Sequence, residues 1–279
     1  PIILGGVTGG AFSSFFVRTQ IENLDPADWA LICAAIMVFI AVIAGAAGRW
    51  VNQRGAPTEI ETPDCGGNRT RASIALEGAR LVFCSRYLLA IFGLVGIYEV
   101  VSQLLDYQFT ATVVHYVPGA TGEHFATVYA ITNIVALIVQ LFVTANVMSR
   151  FGVKAALLVM PVMVLAASGL FVVFPILWVG SSLNTVDNSL NYSINQSARE
   201  ALYTPLSRDE KYKAKAFIDM FLYRSAKVAA VGIALFLGAV VEEFTALRVL
   251  SFLTILLALV WIGIARYAGD QFKAMTEDS

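Results

Sequence analysis

The chain has 279 residues, of which 58% are hydrophobic and only 14% are charged, with a formal net charge of −1. An ordinary soluble domain carries about 25% charged residues, so this composition, with a mean hydropathy of +0.72, excludes a soluble globular protein and predicts one embedded in the lipid bilayer. Because Lys and Arg are spread over several connectors and form no single patch, we expect no nucleic-acid partner.

Apolar segments follow one another along the whole chain. A helix needs about 20 apolar residues to cross the hydrocarbon core of a bilayer. The segments lie at roughly 1–17, 28–48, 81–105, 124–148, 153–174, 176–198, 216–241 and 246–266, the first being short for a span. All are predicted to be helices, and the predicted fold class is therefore an all-α polytopic membrane protein.

Residues 49–79 differ from both flanks because they combine glycine, proline and arginine with few apolar side chains, as a soluble linker does. Two predicted helices precede this linker and six follow it, a division typical of transporters built from two six-helix halves. We therefore expect residues 1–48 to be the last two helices of a truncated N-terminal half and 49–79 to be the central cytoplasmic linker. Residues 80–270 are then the six-helix C-terminal half, and 271–279 a cytoplasmic tail.

Basic residues are concentrated in alternate connectors, which the positive-inside rule assigns to the cytoplasm. The connectors after the second, fourth and sixth segments contain Arg49, Arg54, Arg69, Arg71, Arg80, Arg150, Lys154, Arg199, Arg208, Lys211, Lys213 and Lys215. Arg266 and Lys273 follow the last segment, so the C-terminus is also predicted to be cytoplasmic. We expect an integral protein of a bacterial inner membrane.

One of these connectors reads Arg150-Phe-Gly152-Val-Lys154. This Arg-x-Gly-x-Lys sequence resembles the short cytoplasmic motif between the second and third helices of each half in the major facilitator superfamily. The glycine would allow a tight turn, and the basic side chains would stay at the level of the lipid headgroups. The resemblance implies a major-facilitator-like helical bundle.

Polar residues form stripes on the third and fourth predicted helices. Glu99, Gln103 and Asp106 fall within a narrow arc of the first of these. A comparable stripe on the next helix contains Tyr129, Asn133, Gln140 and Thr144. Polar groups of this kind commonly join helices by hydrogen bonds worth about 0.6 kcal/mol each. For a single Asn or Thr, this structural role is favoured over a role at a substrate site.

The segment at 176–198 is long enough to span a bilayer but contains several amides and a carboxylate. At about 100° per residue these share one face of a helix, opposite an apolar face. The polar face comprises Asn184, Asp187, Asn188, Asn191 and Asn195, and the apolar face comprises Leu183, Val186, Leu190 and Ile194. One side of this helix is therefore predicted to face water.

The segment at 216–241 has Asp219, Tyr223 and Lys227 at intervals of four residues, with Arg224 one step round the helix. An ionised group in mid-bilayer costs about 2.5–3.5 kcal/mol, so helices that retain such groups use them to line a water-filled path. We apply this reading above all to Glu99 and Lys227, which lie in mid-span and have opposite charges.

The run from Asp187 to Leu206, together with Ile218-Asp219 and Arg224-Ser-Ala-Lys227, resembles the ATP:ADP antiporter family of obligate intracellular bacteria and plastids, and especially its facilitator-like bacterial relatives. The resemblance implies ATP or ADP as substrate and functional charges at Glu99 and Lys227. Lys227 is suited to a phosphate oxygen, and Arg224 could add a forked contact. Glu99 would either hold Lys227 in the empty site or carry a proton, while Tyr129 and Tyr223 could stack on a base.

These observations predict a secondary transporter that works by alternating access on a nucleotide or another phosphorylated anion. Two alternatives remain open: a proton-coupled facilitator for another organic solute, and a non-transporting membrane sensor or scaffold. We expect a monomer in the lipid bilayer, with no cofactor, no metal and no enzymatic activity. The expected substrate-binding residues are Glu99, Gln103, Asn133, Gln140, Asp187, Asn188, Asn191, Asn195, Asp219, Tyr223, Arg224 and Lys227.

Overall fold

A computed structural model describes residues 2–20, 25–53, 71–240 and 243–277. These residues form helices joined by short turns. The α-helices are α1 Ile2–Gln20, α2 Pro26–Gln53, α3 Arg71–Cys84, α4 Arg86–Tyr116, α5 Thr121–Ile138, α6 Ala145–Val173, α7 Leu177–Leu190, α8 Gln196–Leu202, α9 Arg208–Phe217, α10 Tyr223–Val240 and α11 Glu243–Glu277. The π-helical segments are π1 Val139–Thr144, π2 Asn191–Asn195 and π3 Ile218–Leu222.

Five helices in the described ranges are long and apolar enough to cross a membrane: Ala27–Trp50, Arg86–Tyr116, Thr121–Val173, Arg208–Ala239 and Thr245–Thr276. No strand occurs among the residues that the structure describes. The predicted all-α polytopic membrane fold is thereby confirmed.

Two of the predicted segments are helical but do not belong to these five helices. Residues 1–17 correspond to α1, which has 19 residues. Residues 176–198 are divided between α7, the π2 segment and the start of α8, and α7 itself has only 14 residues. Asn184, Asp187 and Asn188 lower the hydropathy of α7, and seven of its residues, Asn184 and Asp187 among them, are buried against other helices.

The described residues separate into two compact units. Among the described residues, one unit contains 2–18, 71–240 and 243–277, and the other contains 19–20 and 25–53 with helix α2. The predicted linker at 49–79 includes the last residues of α2 and the first part of α3, while residues 54–70 lie outside the described part of the chain.

Helix α3 is separate from α4, although a single segment at 81–105 was predicted. The break occurs at Ser85, the N-cap residue of α4. Its hydroxyl accepts a hydrogen bond from the backbone N–H of Leu88. Helix α3 packs against α9, where the Lys213 ammonium lies 3.1 Å from a carboxylate oxygen of Glu77. Gly78 allows this close approach, because a Cβ there would lie 2.5 Å from the backbone oxygen of Lys213.

Helix α4 lies at the centre of the larger unit and packs against α7, α10 and α11, while α6 packs against α7 and α11. The apolar core between them contains fully buried Ile91, Leu94, Met160 and Trp261. The ring of Trp261 packs on that of Tyr98, with 5.7 Å between their centroids. Inside a bilayer, side chains such as these hold the helices together through close van der Waals packing, because lipid is as apolar as the core.

The π-helical segments interrupt the helices that were predicted to carry polar stripes. Segment π1 connects α5 to α6, π2 connects α7 to α8, and π3 connects α9 to α10. A π-helical turn holds an extra residue, so it rotates the side chains that follow it relative to those before it. Such segments are frequent at functional sites.

Gly152 forms the turn that the sequence predicts between the segments at 124–148 and 153–174. Its φ of 76° and ψ of 178° interrupt α6 in a backbone conformation that is essentially restricted to glycine. Lys154, two residues later, forms an ion pair with Asp270 near the end of α11. The predicted role of the glycine in this connector is confirmed.

Replacing Gly152 by Ala is expected to lower the free energy of unfolding by about 1–3 kcal/mol, because a Cβ is incompatible with this φ. Steric crowding does not contribute to this loss of stability, since no atom lies within 4 Å of the position that an alanine Cβ would take. Gly169 of α6 is the matched control: its Cβ position is equally open, and Gly169→Ala should stabilise the helix by about 0.5–1 kcal/mol. Thermal unfolding of the two variants in detergent tests this, and equal stability of both would contradict it.

Candidate functional site

A polar cavity lies between α4, α7, π2 and α10, and we call it the Lys227 cavity. Its volume is about 200 Å³. Its walls are almost entirely polar groups, formed by Tyr98, Glu99, Ser102, Gln103, Asp106, Asp187, Asn188, Asn191, Tyr192, Tyr223 and Lys227. A cavity with this lining inside a membrane protein is suited to water or to a charged ligand.

A second cavity, which we call the Arg199 cavity, adjoins the first. It has a volume of about 390 Å³ and is lined by Asn191, Tyr192, Gln196, Arg199, Glu200, Tyr203, Lys215, Asp219 and Tyr223. The two cavities share Asn191, Tyr192 and Tyr223 as lining residues. Together they reach the size of small-molecule sites, which occupy about 300–1,000 Å³.

Most of the residues singled out by the sequence line these cavities. The Lys227 cavity includes Glu99, Gln103, Asp187, Asn188, Asn191, Tyr223 and Lys227, and the Arg199 cavity adds Asp219. On α4 the spacing of Glu99, Gln103 and Asp106 brings their side chains to one face of the helix. The predicted stripes on this helix, on α7 and on α10 therefore converge on one polar space.

Four of the expected residues line neither cavity. Asn133 of α5 instead donates a hydrogen bond of 2.8 Å to the Ser14 hydroxyl of α1, and Gln140 lies in π1. Asn195 is buried and donates its amide N–H to Asn191 Oδ1 at 3.1 Å, so it acts on the site through a neighbour. Arg224 is exposed. Of the polar stripe predicted on α5, Asn133 is therefore directed towards α1 and away from the two cavities.

The cation nearest to Glu99 is Arg199. A guanidinium nitrogen of Arg199 lies 3.9 Å from Glu99 Oε1, and the side chain of Glu99 is only 3% exposed. The sequence suggested Lys227 as this partner; Lys227 lines the same cavity, but its ammonium lies over the ring of Tyr223 at 5.1 Å. Arg199 was predicted to belong to a cytoplasmic connector, whereas α8 directs it back into the bundle.

Side chains of α4 hold the Asp187 carboxylate in place through hydrogen bonds. The Ser102 hydroxyl donates a hydrogen bond of 2.6 Å to Asp187 Oδ2, and the Tyr98 hydroxyl donates one of 3.5 Å to Ser102. One turn earlier on α7, Asn184 donates its amide N–H to Asp106 Oδ1 at 3.5 Å. These contacts fix α7 against α4 and orient its carboxylate at the cavity wall.

Cations in the site lie on aromatic faces. The guanidinium of Arg199 lies 5.6 Å from the ring centre of Tyr98, and the ammonium of Lys215 lies 5.8 Å from that of Tyr203. Burial raises the pKa of the Tyr203 phenol well above its usual range, so this residue stays neutral. Each such contact contributes about 0.5–1 kcal/mol and keeps the cation accessible from the other side.

Sequence reasoning omitted Arg199, Tyr192, Lys215, Glu200 and Tyr203 from the site. A signal for Arg199 was present, because it lies four and eight residues after Asn195 and Asn191 and so extends their helical face. It was assigned to the connector because the segment was assumed to end at residue 198. The helix in fact continues to Leu202.

Comparison with known protein families gives a match over nearly the whole chain. The model of the family described as TLC ATP/ADP transporter matches residues 2–178 and 169–272. No solved structure matches the chain.

Curated relatives match over shorter stretches. The ADP,ATP carrier protein 1 of Chlamydia pneumoniae is 34% identical over 116 residues, which are 34% of this chain and 22% of the relative. The ADP,ATP carrier protein 2 of Chlamydia trachomatis serovar D is 24% identical over 223 residues, which are 71% of this chain and 41% of the relative. The chain thus spans less than half the length of the curated relatives it matches.

Proposed function

The chain belongs to the TLC ATP/ADP transporter family, and from this premise we propose that the protein is a secondary transporter that exchanges nucleotides such as ATP and ADP across a membrane. The relatives that it matches carry the name ADP,ATP carrier protein. Alternating access about a site in mid-membrane is the mechanism that this proposal adopts.

The Lys227 cavity and the Arg199 cavity are the observation that carries the proposal. They bring cations, carboxylates, amides and aromatic rings together inside a bundle of apolar helices. Lys227 and Arg199 are proposed to contact phosphate oxygens, the former as a point charge and the latter through a forked contact. Tyr192 and Tyr223 line both cavities, and we propose that an aromatic ring at this position stacks on the base.

The other expected residues are proposed to bind or to position the substrate. Gln103, Asn188 and Asn191 line the Lys227 cavity with groups that donate and accept hydrogen bonds, which suits ribose hydroxyls. Asn195 orients Asn191 through the hydrogen bond between them. Asn133, Gln140 and Arg224 lie away from the two cavities, and we propose no contact with substrate for them in this conformation.

We also propose a major-facilitator-type arrangement, in which residues 80–270 form one six-helix half, 1–48 supply two helices of the other and 49–79 connect them. The Gly152 turn supports this proposal because it lies between the second and third spans of the half, where that superfamily has its motif. The distribution of basic residues supports a cytoplasmic tail at 271–279 in a bacterial inner membrane.

Uptake into liposomes tests the exchange. Vesicles that contain the purified full-length protein, with both proposed six-helix halves, and internal ADP should take up labelled ATP, whereas vesicles without internal ADP and protein-free vesicles should not. Uptake of another organic solute, driven by a pH gradient without internal nucleotide, would favour the proton-coupled facilitator instead. If no solute crosses under either condition, the sensor or scaffold alternative is favoured and the proposed exchange is wrong.

A further inference from the structure

Three buried oxygen atoms at or near the Lys227 cavity accept no hydrogen bond from the residues that the structure describes, and one of them, Glu99 Oε1, has the guanidinium of Arg199 3.9 Å away. The other two are Oδ1 atoms of α7. Asp187 is 3% exposed and Asn184 is 1% exposed, and the Oδ1 atom of each has no partner among the described residues. An unsatisfied buried acceptor costs about 1–3 kcal/mol, and more when it is charged. The two residues are three apart on α7, so they lie on one face of that helix.

Only one oxygen of Asp187 is free to take a proton. Asp187 Oδ2 already accepts the Ser102 hydroxyl at 2.6 Å. Asp187 Oδ1 has no such contact in the part of the chain that the structure describes. A carboxylate only accepts hydrogen bonds, whereas a protonated carboxyl has an O–H that donates. A proton on Oδ1 therefore removes a buried negative charge that no donor stabilises at this oxygen.

The charges around the cavity are also unbalanced for an anion site. The carboxylates of Glu99, Asp106 and Asp187 line the Lys227 cavity together with a single cation, Lys227. Arg199 approaches Glu99 from the adjoining cavity. If all these groups are charged, the set carries one excess negative charge, which opposes entry of a nucleotide. One proton on Asp187 removes that excess.

We propose that Asp187 binds a proton on Oδ1 and that this protonated form is the one that admits the anionic substrate. The proton is taken from water in the cavity, the O–H bond forms at Oδ1, and the negative charge of the carboxylate disappears. Nucleotide movement is thereby coupled to protonation of Asp187. The coupling rests on the nucleotide exchange proposed above, whereas the protonation itself does not.

Other groups near Asp187 must be separated from it in any pH experiment. Helix α4 presents Tyr98, Glu99 and Asp106, and the helix that contains π3 and α10 presents Tyr223 and Lys227. Residue Tyr192 of π2 lines the same cavity. Helix α5 contributes Glu123, His124 and Tyr129, and the titratable residues of α6 are Arg150 and Lys154 in its first turns. Among these, His124 contacts α7 through a hydrogen bond of 2.9 Å with the Ser181 hydroxyl.

Infrared spectroscopy of the purified protein tests the protonation without any substrate. A protonated carboxyl has a carbonyl absorption that an ionised one lacks, and at neutral pH one such band should be lost in Asp187→Asn but kept in Glu99→Gln. Ser102→Ala should shift the same band, because the hydrogen bond to Oδ2 is removed. Spectra that are identical in the wild type and in both the Asp187 and Ser102 variants would overturn the proposal.

Transport in liposomes tests the coupling. Nucleotide uptake should fall about tenfold for each pH unit above the range in which Asp187 loses its proton, since a single group controls it. Asp187→Asn, which is permanently neutral, should have a flat pH profile, while His124→Gln should keep the wild-type profile. A sloping profile in Asp187→Asn, or a dependence on Na⁺ in place of pH, would contradict the coupling.

The two experiments separate the two proposals. If the infrared band of Asp187 is present but no nucleotide is transported, the proposed function fails and the proton site stands. If nucleotides are exchanged but the band is absent, the proton site fails and the exchange stands.

Discussion

Lys227→Gln should slow nucleotide uptake about tenfold to a hundredfold. A hydrogen bond to a charged group is worth about 1.5–3 kcal/mol, and that difference in binding corresponds to the stated loss. Glutamine retains most of the length of the side chain and can still donate a hydrogen bond, but it lacks the charge that we propose contacts a phosphate oxygen. The measurement is the initial rate of labelled ATP uptake into ADP-loaded liposomes.

A second lysine provides the control for this prediction. Lys211 of α9 lines neither the Lys227 cavity nor the Arg199 cavity, so Lys211→Gln should leave uptake unchanged. Lys227→Arg keeps the charge and should retain more activity than Lys227→Gln. Equal uptake by the wild type and Lys227→Gln would show that this lysine does not bind the nucleotide.

Arg199→Ala should both impair transport and destabilise the fold. Its guanidinium is the cation nearest to Glu99, which is almost completely buried, and breaking a buried ion pair by removing one partner costs about 3–5 kcal/mol. Because Arg199 itself is 17% exposed, we expect a value at the lower end of this range, about 3 kcal/mol. The measurement is thermal unfolding of the purified protein in detergent, beside the uptake assay.

The double variant Glu99→Gln with Arg199→Gln distinguishes an ion pair from a general packing effect. It removes both charges at once and leaves no isolated carboxylate, so it should recover most of the stability that Arg199→Ala loses. Arg208 at the start of α9 is exposed, and Arg208→Ala should change stability by less than about 0.5 kcal/mol. Failure of the double variant to recover stability would argue against the Glu99–Arg199 pair.

Two of the π-helical segments supply residues that line the two cavities. Segment π2 contains Asn191 and Tyr192, which line both cavities, and π3 contains Asp219, which lines the Arg199 cavity. Each segment rotates the turns that follow it relative to an uninterrupted α-helix. Arg199 and Lys227 both lie after such a segment in their own helix. The rotation therefore contributes to their placement on the walls of the two adjoining cavities.

The sequence by itself determined the class of the protein and the faces of its helices. Apolar segments of about 20 residues predict membrane-spanning helices, because lipid satisfies no backbone polar group and a helix pairs its own. The spacing of Glu99 and Gln103, and of Tyr223 and Lys227, identified the polar faces, since residues four apart share a side of a helix. Gly152 was recognisable because only glycine fits such a turn without strain.

Only the tertiary structure decided which polar groups meet. Helical periodicity gives the face of each helix but not the helix that it faces, so the sequence grouped Asn133 of α5 with the site, whereas in the structure Asn133 contacts Ser14 of α1. The partner of Glu99 is Arg199 rather than Lys227, because α8 extends beyond the predicted segment and returns a connector residue to the core. Helix packing and the π-helical rotations set these contacts, and neither leaves a periodic signal in the amino-acid sequence.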